Sequence, residues 1–173
     1  MLEELSLHIL DIGMNSIVAG AKTIEVAVIE NTKRDWLIIR IRDDGRGMDA
    51  KTLRAVLDHH LTDKKSRKKA IGLGLAFLRQ TSEMCGGTFD VKSAPGRGTS
   101  VTASMRLSHI DRPPLGDLSG TMLALCANPE VDVRLHYRSN SQTFQFSSQE
   151  GKNDEPRRTQ EAQGKSAAAC RAT

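Results

Sequence analysis

Two acidic residues and one asparagine stand where their side chains could act on a bound ligand. Asp11 and Asn15 are four residues apart, so a helix places them on one face, one turn from each other. Asp43 follows a stretch in which Leu37, Ile39 and Ile41 share one face of a strand, with Arg40 and Arg42 on the other. By strand parity its carboxylate points to the same side as the apolar residues, toward the core. A buried carboxylate requires a hydrogen-bond donor, so a polar site is expected inside an apolar interior.

Glycines occur near these side chains at points where the chain must turn. They form three short groups in the sequence, Gly45 with Gly47, Gly72 with Gly74, and Gly98 just before Thr99. Glycine has no Cβ and therefore lets the backbone approach a ligand closely. The helix that Gly72 and Gly74 open has free backbone N–H groups and a positive dipole end at its start, which suit a phosphate group.

The elements that must position these residues follow from the hydrophobic periodicity. Helices are predicted over residues 2–19, from 49 to 57, from 72 to 85 and over 115–127, and strands over 23–30, 36–42, 88–93, 99–107 and in a hairpin spanning 131–146. The first helix carries two apolar stripes and is expected to be nearly buried. A narrow polar seam of His8, Asp11 and Asn15 separates the stripes, and such a seam needs a partner.

Composition limits the class of protein. A chain of 173 residues with 38% hydrophobic and 3% aromatic residues predicts one aliphatic core in a soluble globular protein. No apolar run approaches the roughly 20 residues that a membrane span requires, and the amino terminus lacks a secretory signal, so a cytoplasmic protein without membrane contact is expected. The net charge of +4 is too small for the dense basic surface of a nucleic-acid binder.

Four motifs follow one another along the chain: Asp11-x-x-x-Asn15, Asp43-x-Gly45-x-Gly47, Gly72-x-Gly74 and Gly98-Thr99. In that order and spacing the chain resembles the GHKL family, the ATP-binding family shared by gyrase, heat-shock chaperone ATPases, mismatch-repair ATPases and sensor histidine kinases. The resemblance covers residues 5–107, and the chain looks most like a short, stand-alone bacterial member.

The expected fold is α+β, a two-layer α/β sandwich (the Bergerat fold of this family) with a mixed, mostly antiparallel sheet and helices on one face. The domain organisation predicted is an ATP-binding core over 1–107, a helix and hairpin extension over 108–146, and a tail over 147–173. The tail has no aromatic residue and no Ile, Leu, Val or Met, so it is expected to be disordered.

The resemblance implies a role for each polar residue of the site. Asp43 would accept a hydrogen bond from the exocyclic amine of adenine; the alternative is a helix-capping or turn aspartate. Asn15 would ligate Mg²⁺ through its side-chain oxygen. Asp11 would orient and deprotonate an attacking water, in a place where the family more often has Glu; otherwise it belongs only to a solvent-linked seam. His8 is expected to be no more than a neighbour of that seam.

The remaining nucleotide contacts implied by the resemblance are Gly45, Gly47, Met48, Thr62, Lys65, Gly72, Leu73, Gly74, Leu75 and Thr99. Met48 would cover the face of the base, and Thr99 would place a hydroxyl near Asp43 unless it is a plain strand residue. The segment from 62 to 65 resembles a lid that closes over the triphosphate, although the basic run over 64–69 can also be read as a solvated charged surface.

Departures from the family pattern bear on the activity. Val18 stands where histidine kinases carry Lys or Arg, and residues 15–21 look more like the mismatch-repair branch. No His-Glu phosphoacceptor segment is present, so autophosphorylation within one chain is not expected. The resemblance therefore implies Mg²⁺-dependent ATP binding with slow hydrolysis or phosphoryl transfer to a separate, unidentified protein. A nucleotide-gated protein-binding module without turnover is the alternative, and a structural subunit with remnant motifs is a third possibility.

Overall fold

The computed structural model describes residues 4–58 and 73–149, which contain four helices and six strands. In chain order these are α1 (Leu5–Val18), β1 (Thr23–Asn31), β2 (Trp36–Asp43), α2 (Ala50–Asp58), α3 (Leu73–Met84), β3 (Thr88–Ser93), β4 (Thr99–Arg106), α4 (Leu118–Cys126), β5 (Asp132–Ser139) and β6 (Gln142–Ser147). Each element lies within a few residues of where the hydrophobic periodicity predicts it. No helix within these two ranges is long and apolar enough to cross a membrane.

The six strands form one mixed sheet in the order β3-β4-β2-β1-β5-β6. Neighbouring strands are antiparallel except β1 and β5, which run parallel with Val26 beside Leu135. Strand residues alternate between the two faces, and the apolar face of β1, β2, β4 and β5 is buried. The helices α1, α3 and α4 cover this face, and α1 contacts both of the others. The predicted α+β, two-layer arrangement is confirmed.

The first helix is buried on one side only, so the prediction of a nearly buried α1 is wrong for its outer side. Leu5, Ile9 and Ile12 are in the core. Leu7 and Met14, from the second apolar stripe, are 48% and 45% exposed. The reason is the number of neighbours: the sheet lies below α1 and the helices α3 and α4 flank it, while the fourth side has no cover within the described part of the chain.

The segment after residue 108 continues the same sheet. The N–H of Leu5 donates to the carbonyl of Pro114 at 3.0 Å, which brings this segment back to the start of α1. The helix α4 begins at Leu118 and is capped by Asp117, whose Oδ1 accepts the N–H of Gly120 at 2.8 Å. β5 then joins β1, and β6 forms the outer edge of the sheet. The predicted tail lies almost wholly outside the described residues.

Candidate functional site

The carboxylate of Asp43 is buried at the end of β2, as strand parity predicts, with 8% of the residue exposed. Each of its oxygens accepts one hydrogen bond. The hydroxyl of Ser16 on α1 donates to Oδ2 at 2.9 Å, and the backbone N–H of Gly45 donates to Oδ1 at 2.9 Å. These donors come from different segments, so together they restrain rotation of the carboxylate. Because a carboxylate oxygen has two acceptor directions, each oxygen keeps capacity for another partner.

The turn after β2 meets the hairpin between β3 and β4, backbone against backbone. Gly47 and Gly98 both have positive φ, at 65° and 71°. A Cβ at Gly47 would overlap the carbonyl of Ala94, and a Cβ at Gly98 would overlap the carbonyl of Asp43. The protein's own backbone therefore requires glycine at both positions, independently of any approach by a ligand.

A short chain of hydroxyl groups joins the same hairpin to Met48. The Oγ of Ser93 accepts the N–H of Met48 at 2.9 Å and donates to the carbonyl of Gly98 at 3.0 Å. The hydroxyl of Thr99 lies 2.9 Å from that of Ser93, and either oxygen can be the donor of this bond. Thr99 is paired with Asp43 in the register of β2 and β4, but within the described residues its hydroxyl is hydrogen-bonded to Ser93 and not to the carboxylate of Asp43.

The carboxylate of Asp11 contacts the N-terminus of α3. Its Oδ2 accepts the backbone N–H of Gly74 at 2.7 Å, so a negative charge lies at the positive end of the helix dipole. Leu75 is buried and anchors the first turn of α3 in the core. This hydrogen bond links the polar seam of α1 to Gly74, whose backbone N–H is one of the groups predicted from the sequence to bind phosphate.

The amide of Asn15 lies between the two polar contacts of α1. At about 100° per residue, Asn15 is roughly 40° from Asp11 and about 100° from Ser16 around the helix. Its side chain makes no hydrogen bond to any residue within the described ranges. His8, the third residue of the seam, is buried, and its ring centroid is 6.3 Å from that of Phe77.

A second aspartate fastens the turn to the start of β1. The Oδ1 of Asp44 accepts the N–H groups of Lys22 at 2.7 Å and Thr23 at 2.9 Å. Partial burial acts to raise the pKa of Asp44, but hydrogen bonds from these N–H groups outweigh it, so the pKa is lowered from its ordinary value of 3.8. The carboxylate is therefore charged at neutral pH and holds the end of β2 against the start of β1.

Part of the predicted site cannot be compared with the structure. Thr62, Lys65 and Gly72 lie outside the described residues, with the rest of the expected lid. Leu73 is described only as the first residue of α3. The described site consists of α1, the turn after β2, the hairpin between β3 and β4, and the first turn of α3.

Sequence reasoning missed two serines that organise this site. Ser16 lies four residues after Ile12 and seven after Ile9, so the helical period places its hydroxyl on the buried stripe of α1. That position is a usable signal, because a polar side chain among apolar ones needs a partner. Ser93 offers no such signal, since its partner Met48 is 45 residues away in the sequence.

Comparison with known proteins gives one family match. A family model described as histidine kinase-, DNA gyrase B-, and HSP90-like ATPase matches residues 1–109. The chain is 28% identical over 90 residues to the sensor histidine kinase YvrG of Bacillus subtilis (strain 168), covering 51% of this chain and 16% of that protein. It is 30% identical over 95 residues to the sensor histidine kinase ZraS of Klebsiella oxytoca, covering 54% of this chain and 20% of that protein.

The chain thus spans a fifth or less of the length of these two curated relatives. Among solved structures, it is similar to the Aquifex aeolicus MutL ATPase domain complexed with ADP. That similarity has a TM-score of 0.48 and 15% sequence identity, and it covers 84% of this chain and 64% of the other.

Proposed function

The chain belongs to the histidine kinase-, DNA gyrase B- and HSP90-like ATPase family over residues 1–109, and on that premise we propose that it binds ATP with Mg²⁺. We further propose that it hydrolyses ATP slowly or transfers the γ-phosphoryl group to a separate protein. The base would lie at the end of β2 and the phosphates at the N-terminus of α3. One observation carries this proposal, the buried carboxylate of Asp43, which two donors hold and which keeps acceptor capacity on both oxygens.

An adenine base supplies the donor that the remaining acceptor capacity of Asp43 calls for. Taking a carboxylate out of water is costly unless hydrogen bonds satisfy it. The exocyclic amine of adenine is a donor, and its bond to an ionised carboxylate is charge-assisted and therefore strong. Met48 would cover the face of the base; its backbone N–H donates to Ser93, which holds the residue beside the same turn.

The start of α3 suits the phosphate groups, because helix N-termini present free N–H groups and a positive dipole end. In the structure the N–H of Gly74 is bonded to Asp11. A phosphate oxygen and the carboxylate of Asp11 would compete for this donor, so phosphate binding would release the carboxylate. Asp11 would then be able to hold a water molecule and accept its proton.

The side chain of Asn15 fits a magnesium site. Mg²⁺ prefers oxygen ligands and keeps several waters, so one or two protein oxygens with the phosphates of a substrate suffice. The side-chain oxygen of Asn15 accepts no hydrogen bond from any other described residue. The described ranges contain no group of three His, Cys, Asp or Glu side chains suited to a metal. Such a group is not required, because the phosphates and waters would supply the other ligands of Mg²⁺. When bound, the ion would offset the negative charge of the phosphate oxygens.

Turnover would use Asp11 as the proton acceptor. The water oxygen would bond to the γ-phosphorus while the bond from that phosphorus to the ADP oxygen breaks, giving ADP and phosphate. In transfer, a side chain of a separate protein would replace the water. The carboxylate of Asp reaches less far than that of Glu, so we expect slow turnover.

The second candidate is a nucleotide-gated binding module without turnover. The contact between Asp11 and Gly74 favours it, because it gives the acid a purely structural partner at the helix terminus. In this alternative, ATP would change the surface offered to a partner protein and leave the chain unchanged chemically.

Calorimetric titration with ATP and Mg²⁺ tests binding. Asp43→Asn keeps the shape of the side chain but removes its charge, so we expect affinity to fall by about tenfold or more. Asp90→Asn is the matched control, because Asp90 is an exposed aspartate on β3 whose side chain, among the residues that the structure describes, makes a surface ion pair with Lys92 and no hydrogen bond. Absence of ATP binding by the unchanged chain, or equal affinity in Asp43→Asn, would contradict the proposal.

Phosphate release and labelling with γ-labelled ATP test turnover. We expect the unchanged chain to release more phosphate than Asp11→Asn, or to transfer more label to a separate protein, although both chains bind ATP. If ATP binds but the two chains show the same release and no protein is labelled, turnover is excluded. Partner binding that depends on ATP would then support the module.

A further inference from the structure

Ser16 is a hydroxyl-bearing residue on the core side of α1. It is 4% exposed, one turn after the buried Ile12. A buried hydroxyl without a hydrogen bond would destabilise the fold, and an alanine would fill the same position on a helix at no such cost. The hydroxyl therefore has a use that apolar packing does not explain.

The hydroxyl proton of Ser16 has two acceptors within reach. The carbonyl oxygen of Ile12 is 3.1 Å from Oγ, and Oδ2 of Asp43 is 2.9 Å away. A serine has one proton to donate. The carboxylate is closer and charged, so it is the stronger acceptor.

No other side-chain hydroxyl of the described ranges donates to Asp43. Thr99 stands opposite Asp43 in the sheet, but its hydroxyl is hydrogen-bonded to that of Ser93, 2.9 Å away. The second donor to Asp43 is the backbone N–H of Gly45, which comes from the same turn as Asp43 itself. Ser16 is thus the side chain that ties the orientation of the carboxylate to α1, the helix that also carries Asn15 and Asp11.

We infer that Ser16 is a positioning residue that sets the base preference of the site by holding the carboxylate of Asp43 in the orientation that accepts the adenine amine. This inference rests on the proposed function. With the bond from Ser16, one oxygen is fixed and its remaining acceptor direction is defined. Without it, the carboxylate is restrained only through Gly45 and can turn, so its bond to the amine loses alignment.

This role concerns only the 6-amino group of the adenine base. Purine riboside triphosphate has the same sugar and phosphates as ATP but lacks the 6-amino group. A bond aimed at that group contributes to ATP binding and not to binding of the analogue. A role of Ser16 in folding alone would change the affinity for both nucleotides by the same factor.

The experiment measures the dissociation constants of both nucleotides, with Mg²⁺, for the unchanged chain, Ser16→Ala and Ser82→Ala. Ser82 is the matched control, because it is also a buried helical serine and its hydroxyl donates at 2.7 Å to the carbonyl of Leu78, four residues earlier. Both variants remove a buried serine hydroxyl that lies within reach of the backbone carbonyl four residues earlier, but only Ser16→Ala loses a bond to Asp43. Circular dichroism and thermal melting establish that all three chains are folded.

We expect Ser16→Ala to lower the preference for ATP over purine riboside triphosphate by about tenfold, which is the loss of one hydrogen bond to a charged acceptor. Ser82→Ala should keep the preference of the unchanged chain. An unchanged preference in Ser16→Ala, in a chain that binds ATP, would overturn the inference and leave the proposed function standing. Failure of the unchanged chain to bind ATP at all would overturn the proposed function and this inference with it.

Discussion

A single exposed side chain, Asp44, holds the turn beside the buried Asp43 in place. Its carboxylate receives two backbone N–H groups from the residues that begin β1. The turn after β2 is thus fastened on one side by Asp44 and on the other by the glycines that meet the neighbouring hairpin. The geometry around Asp43 depends on this fastening, because Gly45, a donor to Asp43, lies in the same turn.

Replacing Asp44 by Asn should destabilise the protein in a pH-dependent way. Asp44→Asn keeps an acceptor oxygen but removes its charge, so we expect a loss of about 1 kcal/mol at neutral pH. The folded-state pKa of Asp44 lies below its ordinary value of 3.8, so the charged form stabilises the fold in full above 3.8. This stabilisation is lost as pH falls from there through the folded-state pKa.

Urea unfolding of Asp44→Asn and the unchanged chain at several pH values between 7 and 3 measures this difference. The gap between the two free energies of unfolding should be constant down to about pH 4 and should narrow below it. Asp90→Asn, at an exposed position on β3, should show no comparable gap. A gap that persists unchanged at the lowest pH would show that the charge of Asp44 is not the cause.

At this scale the sequence predicts the burial of Asp43 and misses its donor. Strand parity is a local rule, and it places the carboxylate on the core face because Leu37, Ile39 and Ile41 define that face. The bond from Ser16 joins residues 27 positions apart, and it depends on how α1 lies across the sheet. Periodicity shows that Ser16 is buried but cannot show which acceptor it meets.

At the scale of elements, the hairpin between β3 and β4 contacts the turn after β2 through backbone atoms. Gly96 and Gly98 are two residues apart in that hairpin and both have a φ of 71°. A Cβ at Gly96 would meet nothing within 4 Å, whereas a Cβ at Gly98 would overlap the carbonyl of Asp43. A substitution at Gly96 therefore measures the cost of the positive φ alone, and a substitution at Gly98 measures that cost together with the cost of the overlap with Asp43.

We predict that Gly96→Ala lowers the free energy of unfolding by about 1–2 kcal/mol, the cost of a left-handed conformation for a residue with a Cβ. Gly98→Ala should cost about 1–3 kcal/mol more, because the added Cβ forces the hairpin away from β2. Urea denaturation of both variants measures the difference. Equal losses of unfolding free energy in the two variants would mean that the turn shifts at little cost and that the close approach of Gly98 to Asp43 does not affect stability.

The sequence predicts these elements better than it predicts how they meet. The Pro-Gly-x-Gly turn identifies the hairpin, but its contact with Gly47 joins segments about fifty residues apart. The outer side of α1 is a similar case. Two apolar stripes predict a buried helix, yet burial of Leu7 and Met14 would require a neighbour that the sheet, α3 and α4 do not provide.

At the scale of the whole molecule, the segment after residue 108 is built into the same sheet and core as the segment that matches the family. β5 pairs with β1 in the interior of the sheet, and α4 packs on α1. Leu125 of α4 is fully buried and its methyl groups lie against Gly13 of α1. The family match ends at residue 109, but the hydrophobic core does not.

We therefore predict that the described ranges unfold as one cooperative unit. Leu125→Ala removes buried methyl groups between α4 and α1 and should lower the free energy of unfolding by about 2–5 kcal/mol. Trp36, the single tryptophan, lies in β2, which β1 separates from β5, the strand that α4 contacts. Its fluorescence transition in urea should shift by the same amount as the circular dichroism transition, because one unit gives coincident transitions for different probes.

Leu123→Ala is the control for this prediction, because Leu123 lies on the same helix and is 72% exposed. Its effect should stay within about 0.5 kcal/mol. If Leu125→Ala shifts the circular dichroism transition but leaves the Trp36 transition at its original midpoint, α4 and its hairpin unfold separately from β2. Coincident shifts would mean that the elements after residue 108 stabilise the strand that ends in Asp43, and with it the geometry of the proposed nucleotide site.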